Sequence, residues 1–260
     1  MNSVTVAKKG SVAIVTLNRP DKLNALNTKL LRSLKRTLFL LNCDKKVKAI
    51  ILTGAGKAFS AGADISEMYG FSFRDAYEFS KLGQAIGWLL KMSEKITIAA
   101  INGYAIGGGL EIALAADLRV CKNDAKLGLP EAKIGLIPGF GGTQALQEVA
   151  GPADAKKMVE QGMILDAKDA HKLGVADVLT KHDPVQESLK LLKKVKTKDA
   201  VDALSCSRRS TRRSPDLPRN HIDERSRFAG KFELQKTKLL MKRFLEERKI
   251  KIARDVAEKQ

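Results

Sequence analysis

Residues 101–144 read INGYAIGGGLEIALAADLRVCKNDAKLGLPEAKIGLIPGFGGTQ. A triple glycine, 107–109, stands between an apolar run and the helix-like run LEIALAA. Glu111 falls in the first turn of that helix. Glu131 follows Pro130 in a loop, and the glycine cluster at 138–142 opens a further helix. Backbone N–H groups are free at a helix start, and the helix dipole favours negative charge there. A glycine-lined helix start with carboxylates nearby suits chemistry on a polar substrate that develops an anion.

Upstream, residues 3–7 and 11–17 alternate apolar and polar positions around Lys9-Gly10, a hairpin signal. A turn at 18–21 precedes Asn27, the expected cap of a helix carrying Leu30, Leu31, Leu34, Leu38 and Leu41 at helical spacing. VKAIILT (47–53) and ITIAAI (96–101) read as buried strands, with an amphipathic helix over 74–92 between them. Asp64 with Glu67 matches a D-x-x-E capping box, a structural role sufficient for Asp64 by spacing alone. Downstream, ADLRVCK and AKLGL are extended pieces. Helices are expected over 142–161, with Gly151-Pro152 as punctuation, over 167–173 and over 184–195, with a strand at 175–179. The recurring pattern is two strands and then a helix. A repeated ββα unit accounts for it better than a dinucleotide-binding βαβ fold, whose GxGxxG fingerprint is incomplete here.

The fold class expected is therefore α/β, with residues 1–198 as a ββα core and 199–260 as a basic helical C-terminal region. The net charge is +18. Residues 181–260 hold 23 Lys and Arg against 12 Asp and Glu, so +11 of it sits in the last 80 positions. Such a surface favours polyanions or a phosphate-bearing ligand. SCSRRSTRRSPDLPRN, within 199–220, has no periodicity and reads as a loop. Phe228, Phe232, Leu239, Leu240, Phe244 and Leu245 then recur at helical spacing, as on helices docking on the main body or a neighbouring subunit. Three cysteines, odd in number and widely spaced, fit a reduced cytoplasmic setting. No apolar run reaches the ~18 residues of a membrane span.

NRPDKLNAL, AFSAGADI, INGYAIGGGLEIALAADLRV and LGLPEAKIGLIPGFGGTQ occur in the order and spacing of the crotonase superfamily. The resemblance is greatest to enoyl-CoA hydratases, good over 3–195 and looser over 222–250. It implies a spiral of ββα turns, association into trimers or dimers of trimers, and an acyl-CoA thioester substrate, with no cofactor beyond the CoA moiety. It places two oxyanion-binding N–H groups on Ala63 and Gly108, and the acid–base pair on Glu111 and Glu131. Gly139 becomes the position whose backbone helps place water. The coenzyme would lie along Ala61, Ala63, Asp64, Ile65 and Gly108 and near Lys22 and Ala25, with Phe228 covering the ligand. The implied reaction is hydration of a short 2-enoyl-CoA. Its reverse is dehydration of 3-hydroxyacyl-CoA thioesters, 3-hydroxypropionyl-CoA among them.

Departures from the pattern include Ile96 and Ala145, where proline and arginine are frequent, and Glu247, where a lysine is common. Met68, Tyr69 and Trp88 are candidates for the acyl pocket. Retention of both glutamates favours a hydratase over the rival enoyl-CoA isomerase or CoA hydrolase. A second rival, RNA binding, rests on Arg32 and Arg36, with Lys29 and Lys35 nearby on the first helix. Loss of salt-sensitive RNA retention in Arg32→Glu/Arg36→Glu would support it. His171, His182 and His221 have no metal-ligand spacing, and no nucleophile elbow is present.

Overall fold

The computed structural model describes residues 2–195 and 219–257. The segment read as a loop, 199–220, lies almost wholly outside them.

Two sheets are built turn by turn. A hairpin, β1 (Val4–Lys9) and β2 (Val12–Leu17), starts the larger one. After α1 (Thr28–Cys43), β3 (Ala49–Gly54) joins it, and β4 (Ala58–Ser60) begins the smaller. A short α2 (Ile65–Met68) and a long α3 (Phe73–Lys91) close that turn. The next turn repeats the pattern with β5 (Ile96–Ile101), β6 (Tyr104–Ile106) and α4 (Gly108–Leu114). The one after it adds β7 (Leu118–Lys122), β8 (Lys126–Gly128) and a 3₁₀ turn, Pro130–Ile134. The chain continues through α5 (Gly142–Ala150), α6 (Pro152–Gln161), β9 (Ile164–Asp166), α7 (Ala167–Lys172), β10 (Val178–Thr180) and α8 (Pro184–Lys194). The described C-terminal part holds α9 (Arg219–Gly230) and α10 (Gln235–Ala257). The large sheet runs β1-β2-β3-β5-β7-β10, parallel from β2 onward. The small one runs β4-β6-β8-β9. The expected ββα spiral is thus the observed architecture.

The buried-strand signal has a direct cause. All six residues of β3 and of β5 are buried, as in parallel strands covered on both faces. Ile50, Leu52, Ala99 and Ile101 enter the main core with the five buried leucines of α1. Ala49, Ile51, Ile96 and Ile98 face a second cluster formed with Val185 and Leu189 of α8. Asn27 caps α1, accepting the Leu30 N–H at 2.9 Å.

One local expectation is corrected. Asp64 caps α2 by accepting from Ser66 N–H, but Glu67 does not complete the box. Its carboxylate instead accepts the Thr28 N–H at 2.9 Å. α2 is one turn long, and the free N–H groups at the start of α1 compete for the same carboxylate. The capping box that does form is Ser72 with Asp75, at the start of α3. The strand read over 175–179 runs over Val178–Thr180, and Glu131 lies in the 3₁₀ turn rather than a loop. No described helix is long and apolar enough to cross a membrane.

Candidate active site

The motifs NRPDKLNAL and AFSAGADI meet through Asn24, a buried residue in the left-handed region (φ 55°). Its amide donates to the carbonyls of Ala55 and Ala58, and its Oδ1 accepts the Arg19 N–H. Ser60 donates to the Asn24 carbonyl at 2.9 Å. Leu26 then pairs with Ala63: Leu26 N–H reaches the Gly62 carbonyl, and Asp64 N–H reaches the Leu26 carbonyl. In a parallel bridge of this kind the neighbours' groups make the bonds, so the Ala63 N–H faces the other way.

That other side is a cavity of about 540 Å³, mostly apolar in its lining. Gly108 stands on the same wall as the first residue of α4, where its N–H has no intrahelical acceptor. The preceding Gly107 has φ 53° and ψ −131°. A Cβ there would lie 2.7 Å from Glu131 Oε1, so the backbone can turn here only because the residue is glycine.

Both glutamates line this cavity. Glu111 is buried in α4, and its Oε1 accepts two N–H groups, from Phe140 and Gly142, each at 2.7 Å. Burial raises its pKa well above the ordinary carboxylate range. The charges of Glu131 and Glu224 add to this, and the two N–H donors oppose it. Glu131 has a sealed Oε2 with no hydrogen-bond partner among the described residues. Burial pushes its pKa up to about 7, with Glu224 adding to the rise. Gly139 also lines the cavity, its carbonyl accepting the Ser80 hydroxyl.

Ala61, Ile65 and Phe228 also line the cavity. Phe228 comes from α9 of this same chain, packed so closely that a Cβ on Gly139 would lie 2.8 Å from its ring. Lys22, Ala25 and Asp64 do not line it. Lys22 sits on an exposed 3₁₀ turn, the buried Ala25 accepts from Arg19 through its carbonyl, and Asp64 pairs with Arg19 at 3.0 Å. Of the acyl-pocket candidates, Met68 lines the cavity, Tyr69 is exposed, and Trp88 borders a smaller chamber behind Glu111. Glu247 does reach the cavity, together with Arg243 one turn earlier and Lys133.

Sequence reasoning missed Glu224. This buried residue accepts from Gly141 N–H at 2.7 Å and from both the N–H and the hydroxyl of Thr143. It therefore grips, from α9, the same turn that Glu111 grips from α4. No spacing signal could reveal it, because 83 positions separate Glu224 from Gly141. Among the described residues no cluster of His, Cys, Asp and Glu is arranged to hold a metal.

Comparison with known proteins agrees with this geometry. Residues 7–254 match the family described as Enoyl-CoA hydratase/isomerase. The short-chain-enoyl-CoA hydratase of Clostridium acetobutylicum is 36% identical over 253 residues, covering 96% of this chain and 97% of that protein. The crotonyl-CoA hydratase of Syntrophomonas wolfei is 36% identical, covering 95% and 96%. An enoyl-CoA hydratase/isomerase from Mycobacterium paratuberculosis superposes with a TM-score of 0.80 at 25% identity, covering 94% of this chain and 98% of that one. The fold and its cavity define an enzyme of the crotonase superfamily. Within it, the chain belongs to the enoyl-CoA hydratase/isomerase family, and its relatives make it a hydro-lyase of the enoyl-CoA hydratase type.

Proposed function

We propose that the enzyme adds water reversibly, in the syn sense, to a short 2-enoyl-CoA such as crotonyl-CoA. The observation that carries this reading is that two glutamates, Glu111 and Glu131, line one mostly apolar cavity whose wall also includes Ala63 and Gly108. The thioester oxygen is held by the N–H groups of Ala63 and Gly108. As the conjugated system takes on enolate character, those donors stabilise the charge, each worth roughly 3–4 kcal/mol of barrier. Glu111 takes a proton from water as its oxygen adds to Cβ. Glu131 delivers a proton to Cα.

The division of roles follows from the hydrogen bonds. Two N–H donors favour the ionised form of Glu111 and oppose the rise that burial and the Glu131 charge impose on its pKa, which suits it to the base role. Glu131, whose Oε2 has no partner among the described residues, takes the acid role. An acid poised near 7 is well matched to proton transfer at neutral pH. In reverse the same groups dehydrate 3-hydroxybutyryl-CoA and 3-hydroxypropionyl-CoA. Ala61 and Ile65 border the path of the pantetheine arm, with Lys22, Ala25 and Asp64 beyond the cavity rim. Arg243 and Lys133 meet the CoA phosphates in place of the lysine that Glu247 replaces. Association into trimers accompanies this reading and is checked by light scattering.

The deciding assay follows loss of the conjugated thioester's ultraviolet absorbance with crotonyl-CoA. The wild type is active, and Glu111→Gln and Glu131→Gln each lose at least ~10²-fold in kcat. An inactive wild type, or undiminished variants, would sink the reading. Arg243→Glu raises KM several-fold with kcat little changed, the pattern of lost uniform binding.

A further inference from the structure

Glu111 borders two cavities. Behind it, away from the substrate cavity, lies a chamber of about 50 Å³. Phe140, like Glu111, lines both. The far wall carries Trp88, Gln144 and His221, with Lys91 and Glu148 paired at 2.6 Å beside them. Two polar atoms in that wall are sealed from bulk solvent and lack a hydrogen-bond partner among the described residues: Gln144 Oε1 and His221 Nδ1. Buried polar atoms are normally satisfied, and those that no protein group reaches are the usual sites of bound water. A chamber this size has room for two or so water molecules.

We propose that water in this chamber carries protons between Glu111 and His221, a return path for the hydration cycle that bypasses the substrate cavity. The inference rests on the function proposed above. In each turnover the hydroxyl of water goes to Cβ, its other proton to Glu111, and the proton of Glu131 to Cα. The enzyme then holds a protonated Glu111 and an ionised Glu131, with product between them. The proton on Glu111 leaves through the chamber to His221, which is half-buried and so in contact with solvent. Glu131 regains a proton from solvent once product departs. His221 is flanked by Lys91 of α3, by Glu148 of α5, and by Glu224 and Arg225 of its own helix. Burial, Lys91 and Arg225 hold its pKa below the ordinary value, against the pull of Glu148. At neutral pH it is therefore an uncharged imidazole able to accept a proton.

The test uses the whole enzyme with crotonyl-CoA and three variants. Gly87 borders the chamber from α3. A Cβ there would meet Ala115 Cβ at 3.6 Å and the Phe140 carbonyl at 3.7 Å, ordinary contacts. Gly87→Ala should therefore behave as wild type, whereas Gly87→Leu fills the chamber. Gly87→Leu and His221→Gln are each expected to lower kcat about tenfold, with KM within about twofold and a larger solvent deuterium isotope effect on kcat. His221→Ala is expected to recover activity with added imidazole. If kcat stays within about twofold of wild type in folded Gly87→Leu and in His221→Gln, the relay is overturned. It is equally overturned if His221→Gln is slow with an unchanged isotope effect and imidazole restores nothing to His221→Ala. Should Gly87→Leu fail to fold, the His221 arms decide alone. A wild type without hydratase activity would instead overturn the proposed function itself.

Discussion

Gly107 and Glu131 compete for one small volume. An alanine Cβ at 107 would stand 2.7 Å from Glu131 Oε1, and the backbone there lies in the left-handed region. Gly107→Ala is expected to displace the Glu131 carboxyl and turn the Gly108 N–H. Its kcat with crotonyl-CoA should fall by at least ~10², as for loss of the proposed acid or oxyanion donor. Glu131 also makes stability depend on pH. Its folded pKa is raised from the ordinary 4.5 to about 7, so between those values the folded chain binds more protons than the unfolded one. Stability from this group is full below the lower value and is lost as pH rises through the upper, by roughly 3 kcal/mol in all. Glu131→Gln removes that loss. Calorimetry should find the variant more stable than wild type at pH 8 and little different at pH 4.5. That Ala63, Gly108, Glu111 and Glu131 meet at one cavity was legible in sequence because four motifs fall together. Their surroundings were not. Glu224 and His221 act across the fold on a turn some eighty positions away, and local spacing carries no trace of such a contact.

At the scale of elements, the turn over 138–142 is held from two sides. Glu111 of α4 accepts from Phe140 and Gly142, and Glu224 of α9 accepts from Gly141 and Thr143. The alternating N–H groups of one short turn thus meet two carboxylates on different helices. Glu224→Ala leaves the Gly141 and Thr143 donors without that partner and frees one side of the turn. It should lower kcat about tenfold by loosening Glu111, with Glu224→Gln recovering much of the loss, since an amide oxygen still accepts. Steady-state kinetics on both variants check this. Helices and strands whose apolar spacing follows from burial were readable: the five buried leucines of α1 and the all-buried runs of β3 and β5 appear as expected. The D-x-x-E match misled because a carboxylate can satisfy any nearby free N–H. The one it satisfies belongs to α1, a neighbour in space rather than in sequence.

Across the whole molecule, a fully buried ion pair ties the large sheet to the segment after α7. Arg119 of β7 reaches Asp177 at 2.7 Å, and Asp177 also accepts the Arg119 backbone N–H. Asp177→Ala strands a buried guanidinium. It is expected to lower the melting temperature by roughly 10 °C, from a cost of about 3–5 kcal/mol, as thermal unfolding by circular dichroism would show. The sheet order could be anticipated only as a ββα repeat. Which strands joined which sheet depended on packing that periodicity does not encode. Strands enter the large sheet in the order in which they occur along the chain, each beside one already placed. Ala63, Gly108, Glu111 and Glu131 belong to those early turns, whereas Phe228, Leu240 and Arg243 close the cavity from the far end of the sequence. A chain emerging from the ribosome would therefore assemble its proposed reactive groups first and its enclosure last. Until the final helices emerge, a nascent polypeptide would hold the proposed acids and oxyanion donors in an open, wet cleft.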